Sequence, residues 1–294
     1  MQDAVSIFLS APDGLRLHAR CYGRRNATAT PVVCLPGLAR TAADFDALAS
    51  ALARDSAHPR RVIAIDYRGR GLSAYDSNPG HYSLPIELAD VLAIITALEA
   101  LPAIFVGTSR GGILAMVLAG VRPTAIAGVV LNDIGPVIEA QGLMRIKGYV
   151  GKLPQPRTFE EGAEVLRRLF GAQFPRFGPA DWLAGAHRTF KEENGRLVTT
   201  YDPQLIRAMD GIEPERPLPP LWNEFDGLGA TRVMVIRGAN SDILSAATVE
   251  AMRTRHSTLE TLEVPDQGHA PLLVEPTMIA HIADFAKRCD RSVP

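Results

Sequence analysis

The chain has 294 residues, of which 47% are hydrophobic and 21% charged, and its formal net charge is −1. This length allows a sizeable buried core, and the balanced charge lacks the basic excess typical of nucleic-acid-binding proteins. The cysteines Cys21, Cys34 and Cys289 are too few and too widely spaced to indicate a disulfide framework or a clustered zinc site. We therefore expect a cytoplasmic protein with no nucleic-acid partner and no bound metal.

The apolar segments of the sequence are short. The run at 5–9 is too short for a signal peptide, and the longest run, 103–121, is interrupted by Thr108, Ser109 and Arg110. We predict neither a secretory signal nor a membrane span.

Short apolar runs alternate with amphipathic stretches along the first half of the chain. Asp13-Gly14 is a turn signal between two such runs and predicts an antiparallel hairpin. Later runs without polar alternation are typical of strands buried on both faces of a parallel sheet. They lie at 32–35, 62–65, 104–106, 128–131 and 233–236.

Helical periodicity fills the intervals between these runs. Apolar residues recur at helical spacing between 84 and 98, and shorter patterns lie at 41–52, 245–252 and 278–289. Strands alternating with helices after a leading hairpin predict an α/β fold, with a mostly parallel sheet and an antiparallel edge.

The alternation stops between about residues 135 and 216, where prolines and short helical patterns dominate. We predict a core formed by 1–134 and 217–294, interrupted by an all-helical cap at 135–216. Such an insertion at the carboxyl end of a strand would cover the crevice where α/β sheets bind ligands.

Ser109 is the strongest candidate for a catalytic residue. It lies in Gly107-Thr108-Ser109-Arg110-Gly111, directly after an apolar strand and before a helical run. A nucleophilic serine on such a turn needs small neighbours and projects its hydroxyl outward. Because Gly-x-Ser-x-Gly also arises by chance, the position between strand and helix carries the interpretation; the alternative is a phosphate-binding or purely structural glycine turn.

The serine hydroxyl needs a base and an orienting acid. His269 follows the last strand pattern, 259–264, and Asp242 follows the strand at 233–236. Because parallel strands end at one edge of a sheet, we predict that Ser109, His269 and Asp242 form a catalytic triad. Asp133, after the strand at 128–131, is the second candidate for the acid. The backbone N–H groups of Leu38 and Arg110 are predicted to form the oxyanion hole.

The order Ser109…Asp242…His269, the turn 107–111 and the segment 66–73 together resemble the α/β-hydrolase fold family, over nearly the whole chain outside the insertion. The resemblance implies an eight-stranded sheet, a helical cap after the sixth strand and acyl-type hydrolysis through a covalent intermediate. Arg110 departs from the Met, Gln or Trp more usual in relatives. Because an unpaired buried charge is costly, we predict that Arg110 pairs with Asp133.

These features predict a serine hydrolase without cofactor, acting on a small or medium carboxylic ester or lactone. A hydrolase that cleaves a carbon–carbon bond in a dienoic ring-cleavage product would use the same residues. A ligand-binding protein of low turnover on the same fold is the other alternative. The partner is a small-molecule substrate, and the sequence leaves open whether the chain forms a homo-oligomer.

Overall fold

The computed structural model describes residues 4–213 and 218–290. Its main sheet has eight strands in the order β1-β2-β4-β3-β5-β6-β9-β10, and β7 and β8 form a separate hairpin. The strands are β1 (Val5–Ser10), β2 (Arg16–Tyr22), β3 (Val32–Leu35), β4 (Val62–Asp66), β5 (Ala103–Thr108), β6 (Ile126–Asn132), β7 (Phe190–Glu193), β8 (Arg196–Thr199), β9 (Arg232–Gly238) and β10 (Glu260–Val264).

Helices connect the strands and cover both faces of the sheet. They are α1 (Asp46–Arg54), α2 (Leu84–Ala97), α3 (Arg110–Val121), α4 (Ala140–Tyr149), α5 (Phe159–Phe170), α6 (Pro179–Thr189), α7 (Trp222–Asp226), α8 (Ala246–Arg255) and α9 (Pro276–Cys289). Two buried apolar clusters, one on each side of the sheet, form the core. Within the described ranges, no helix combines the length and the apolar character that crossing a membrane requires.

Strand direction follows the sequence prediction. β1 pairs with β2 and β2 with β4 in antiparallel orientation, whereas all other neighbours in the main sheet are parallel. The central strands β3, β4, β5 and β6 are almost entirely buried, which explains their unalternated apolar sequences. The predicted mostly parallel eight-stranded sheet is confirmed, and it brings the carboxyl ends of β5, β6, β9 and β10 to one edge.

The segment between β6 and β9 contains α4, α5 and α6, followed by the β7–β8 hairpin. The expectation of an all-helical insertion is therefore wrong. Asn194 and Gly195 both have positive φ values, +53° and +73°, as a tight hairpin turn requires. The predicted domain boundary at 216/217 lies outside the described residues.

Candidate active site

The turn at Ser109 joins β5 to α3 in strained backbone. Ser109 has a φ of +51° and a ψ of −114°, a conformation that non-glycine residues rarely adopt. Its N–H donates to the backbone oxygen of Asn132 at the end of β6, at 3.0 Å. The strain points the hydroxyl out of the sheet edge, into the cavity described below.

Glycines on both sides of the serine are required by close backbone contacts. A Cβ added at Gly107 would lie 2.5 Å from the backbone of Gly111, and one added at Gly111 would lie 2.0 Å from the backbone oxygen of Leu35. These distances are far below van der Waals contact, so the turn admits no side chain at either position. The contacts give the Gly-x-Ser-x-Gly pattern a structural reason.

His269 lies between Ser109 and a carboxylate. Its Nε2 is 2.9 Å from the Oγ of Ser109, and its Nδ1 is 2.8 Å from the Oδ2 of Asp133. When Nδ1–H donates to the carboxylate, Nε2 is left to accept the serine proton. The His269 side chain is only 6% exposed and that of Asp133 is fully buried. The serine, the imidazole and the carboxylate thus form one hydrogen-bonded chain.

The carboxylate in this chain is Asp133, so the prediction that Asp242 orients His269 is wrong. Asp133 follows β6 with a φ of +55° and accepts two further hydrogen bonds, from Gly238 N–H at 2.8 Å and from Ser241 O–H at 2.6 Å. These donors belong to the end of β9 and the loop after it. That loop therefore contributes a hydroxyl to the site, where the sequence suggested a carboxylate.

Asp242 turns instead toward α4 of the inserted segment. Its carboxylate accepts from the Nε of Arg145 at 2.6 Å and from the Nη2 at 2.8 Å. Burial alone would raise the pKa of Asp242, but the Arg145 guanidinium outweighs it and holds the pKa below its usual value of 3.8. This bidentate pair joins the insertion to the sheet edge beside the Ser109–His269–Asp133 chain.

The predicted pair between Arg110 and Asp133 is also wrong. Arg110 Nε donates instead to the Oε2 of Glu87 on α2 at 2.5 Å. Glu87 was missed in the sequence, although a signal was present: it lies on the apolar face of α2, between Leu84 and Val91. A carboxylate on a buried helix face needs a cationic partner. Arg110, the first residue of the following helix α3, provides it.

The loop after β3 passes beside Ser109. A Cβ built on Gly37 would lie 3.8 Å from the Cβ of Ser109, and Leu38 lines the same cavity as the serine. Among the residues that the structure describes, no acceptor is paired with the N–H of Leu38 or with that of Arg110, at the first position of α3. Both donors therefore remain available near the serine.

A cavity of about 170 Å³ opens above the serine, between the sheet edge and the inserted segment. Most of its wall is apolar, and the insertion contributes a large share of it. The apolar lining residues from the insertion include Ile146, Tyr149, Leu153, Leu166, Phe170 and Trp182. The size and the lining suit a small, largely apolar molecule placed against Ser109 and His269.

A second serine, histidine and aspartate lie in line on β1, on β2 and at the end of β4. His18 Nδ1 is 2.7 Å from Asp66 Oδ2, and His18 Nε2 is 3.0 Å from the Oγ of Ser6. Ser6 lies on the exposed edge strand β1, and Asp66 also accepts from the N–H groups of Ala42 and Leu72. Asp66 thus holds the backbone at Ala42 and Leu72. Ser6 serves as an internal control in the experiments on Ser109.

Comparison with known proteins agrees with this architecture. A model of the alpha/beta hydrolase family matches residues 32–282. The chain belongs to the alpha/beta hydrolase family.

The relatives described here cover three quarters or more of the chain. A 3-hydroxybutyrate-oligomer hydrolase of Cupriavidus necator is 35% identical, covering 92% of this chain and 93% of that protein. The crystal structure of an alpha/beta hydrolase from Novosphingobium aromaticivorans superposes with a TM-score of 0.88 at 36% identity, covering 98% and 99% of the two chains. An esterase of Mycobacterium tuberculosis is 23% identical over 75% of this chain and 72% of its own.

Proposed function

We propose that this protein is a serine hydrolase that cleaves carboxylic esters through an acyl-enzyme intermediate. The observation that carries the proposal is the hydrogen-bonded chain Ser109–His269–Asp133, which faces a largely apolar cavity. A hydroxyl, an imidazole and a buried carboxylate in this order are the components of nucleophilic acyl transfer.

In the acylation step, Ser109 Oγ attacks the ester carbonyl while His269 Nε2 takes the serine proton. Asp133 stabilises the imidazolium through the Nδ1–H bond, and the N–H groups of Leu38 and Arg110 would hold the oxyanion. Each such donor is typically worth about 3 kcal/mol in the transition state. His269 then gives the proton to the departing alcohol oxygen, leaving an acyl-serine. Water attacks this ester by the same route and releases the carboxylic acid.

Among esters, we propose that short oligoesters of hydroxy acids are preferred. The relative from Cupriavidus necator is named for 3-hydroxybutyrate oligomers, whose units are joined by ester bonds. The cavity supports this choice, because its volume of about 170 Å³ suits a small ester better than a long acyl chain. Simple esters and lactones of similar size remain within the proposed substrate class.

The experiment compares Ser109→Ala with Ser6→Ala on p-nitrophenyl acetate. We expect Ser109→Ala to lose turnover on the order of a millionfold, because the members of a triad act as a unit. Ser6→Ala should retain wild-type turnover, since its histidine serves a structural network. A fluorophosphonate probe followed by peptide mass spectrometry should modify Ser109 alone.

Other outcomes identify the alternatives. Equal slow rates in wild type and Ser109→Ala, without labelling, would refute the proposal and favour a ligand-binding protein. Labelling of Ser109 with turnover of a dienoic carbon–carbon substrate but of no ester or lactone would refute the assignment of the bond that is cleaved.

A further inference from the structure

The apolar cavity above Ser109 has one charged corner. Arg40, from the loop after β3, and Arg188, from the end of α6, both line it, as does Asp44. Gly37 packs between this corner and the serine: a Cβ at residue 37 would lie 3.4 Å from the Cγ of Arg40 and 3.8 Å from the Cβ of Ser109. The charged groups and the serine therefore line the same cavity.

Among the described residues, Asp44 is the one carboxylate within ion-pair distance of Arg40 and Arg188, and it is hydrogen-bonded to Arg40. The Nε and Nη2 of Arg40 donate to Asp44 at 2.6 and 2.5 Å, and its Nη1 donates to the Oγ1 of Thr189 at 3.3 Å. Arg188 reaches Asp44 only at 3.5 Å, through Nε. Within residues 4–213 and 218–290, the Arg188 side chain makes no hydrogen bond. The guanidinium of Arg40 is thus hydrogen-bonded through all three of its nitrogens, whereas that of Arg188 has only the longer contact with Asp44.

The surroundings of Arg188 make this imbalance costly. Its side chain is 21% exposed, and burial together with the neighbouring Arg40 lowers its pKa from the ordinary 12.5. Asp181 also lines the cavity, but its Oδ2 accepts from the N–H of Gly178 at 2.9 Å, at the start of α6. It lies beyond ion-pair distance of Arg188. An added anion in the cavity would relieve the excess of positive charge.

We infer that Arg188 binds a free carboxylate of the substrate, so that the preferred substrates are anionic esters. The inference rests on the proposed ester hydrolysis, and it adds a charged group to the substrate class. A guanidinium offers two parallel N–H donors that match the two oxygens of a carboxylate. A linear oligoester of a hydroxy acid carries such a carboxylate at one end, whereas a simple neutral ester does not.

The test uses two linear dimers of 3-hydroxybutyrate that contain the same internal ester. One dimer has a free carboxylate, and in the other this group is a primary amide, which has nearly the same shape but no charge. We expect wild type to have a kcat/KM about 10- to 100-fold higher for the acid, the range of one charge-assisted pair. Arg188→Gln should remove this preference, and Arg188→Lys should keep part of it.

Arg167→Gln is the matched control, because Arg167 lies on α5 of the same insertion with a largely exposed side chain. It should retain the full preference for the acid. Three results would overturn the inference. The wild type hydrolyses both dimers at equal rates, or it hydrolyses p-nitrophenyl acetate but neither dimer. The third result is an unchanged preference for the acid in Arg188→Gln.

A binding measurement separates this inference from the proposed chemistry. Calorimetry with the acid dimer compares the affinity of Ser109→Ala with that of the double variant Ser109→Ala/Arg188→Gln. Both variants lack the nucleophile, so this measurement does not depend on turnover. A 10- to 100-fold weaker affinity in the double variant supports carboxylate binding even if the wild type hydrolyses no ester. Equal affinities, with both proteins folded by circular dichroism, contradict it.

Discussion

Glu87 and Arg110 join α2 to the residue that directly follows Ser109. Arg110 Nε donates to the Oε2 of Glu87 at 2.5 Å, and the Nη1 of Arg70 lies 2.7 Å from the Oε1. Arg70 also donates from Nε to the backbone oxygen of Leu38 at 2.8 Å. One buried carboxylate therefore anchors both residues whose N–H groups are proposed to hold the oxyanion, Arg110 directly and Leu38 through Arg70.

We predict that Glu87→Gln lowers kcat about 10- to 100-fold and leaves KM nearly unchanged. The substitution leaves two guanidinium groups without their carboxylate, so the N–H groups of Leu38 and Arg110 lose their fixed positions, which matter most in the transition state. The loss of a partner from a buried ion pair should also lower the free energy of unfolding by about 3–5 kcal/mol. Steady-state kinetics and urea unfolding measure the two effects.

The control is Glu250→Gln on α8, where the glutamate is exposed and, within the part of the chain that the structure describes, pairs with Arg253 of the same helix alone. It should change neither kcat nor the unfolding midpoint. A Glu87→Gln variant that unfolds more easily but retains wild-type kcat would limit the role of Glu87 to stability.

The same carboxylate predicts how stability depends on pH. Burial by itself raises the pKa of Glu87, but Arg70 and Arg110 outweigh it and hold the pKa below the ordinary value of 4.5. A carboxylate with a depressed folded-state pKa contributes stability that is fully present above pH 4.5 and is lost as the pH falls through the folded-state value.

Urea unfolding between pH 7 and pH 3.5 tests this contribution. The difference in free energy of unfolding between wild type and Glu87→Gln should be constant above about pH 5.5 and should shrink below pH 4.5. A difference that grows toward acid pH would mean that Glu87 is protonated in the folded protein.

Asp133 and Asp242 can be told apart by the same conservative substitution. Asp133→Asn should lower kcat about 10⁴-fold, because the amide no longer holds His269 in the tautomer that accepts the serine proton. Asp242→Asn should lower it less than tenfold, since Asp242 pairs with Arg145. Turnover of p-nitrophenyl acetate measures both. The reverse ranking would return Asp242 to the role of the triad acid.

The sequence was sufficient for the sheet and for two members of the hydrogen-bonded chain. Ser109 and His269 could be predicted because each depends on local features, a glycine-flanked turn after a buried strand and a loop after the last strand. The buried parallel strands could be predicted from apolar runs without polar alternation, whereas the number of eight strands was implied by the resemblance to the family.

The choice between Asp133 and Asp242 could not be made from the sequence in the same way. β6 and β9 are neighbours in the sheet, so both aspartates arrive at the same edge. The positive φ of Asp133 and its hydrogen bond with the hydroxyl of Ser241 place this carboxylate against His269. Neither feature can be recognised from the sequence of residues alone. Chain order alone therefore favoured the wrong carboxylate.

Two glycines of α3 provide the last prediction. A Cβ at Gly111 would lie 2.0 Å from the backbone oxygen of Leu35, whereas one at Gly120 meets no atom within 4 Å. Gly111→Ala must displace β3 or the turn at Ser109, so it should cost about 3 kcal/mol of unfolding free energy and most of the turnover. Gly120→Ala, in the same helix, should stabilise the protein by about 0.5–1 kcal/mol at unchanged turnover. Thermal unfolding and p-nitrophenyl acetate kinetics measure both, and equal effects at the two positions would contradict the close packing of the turn against β3.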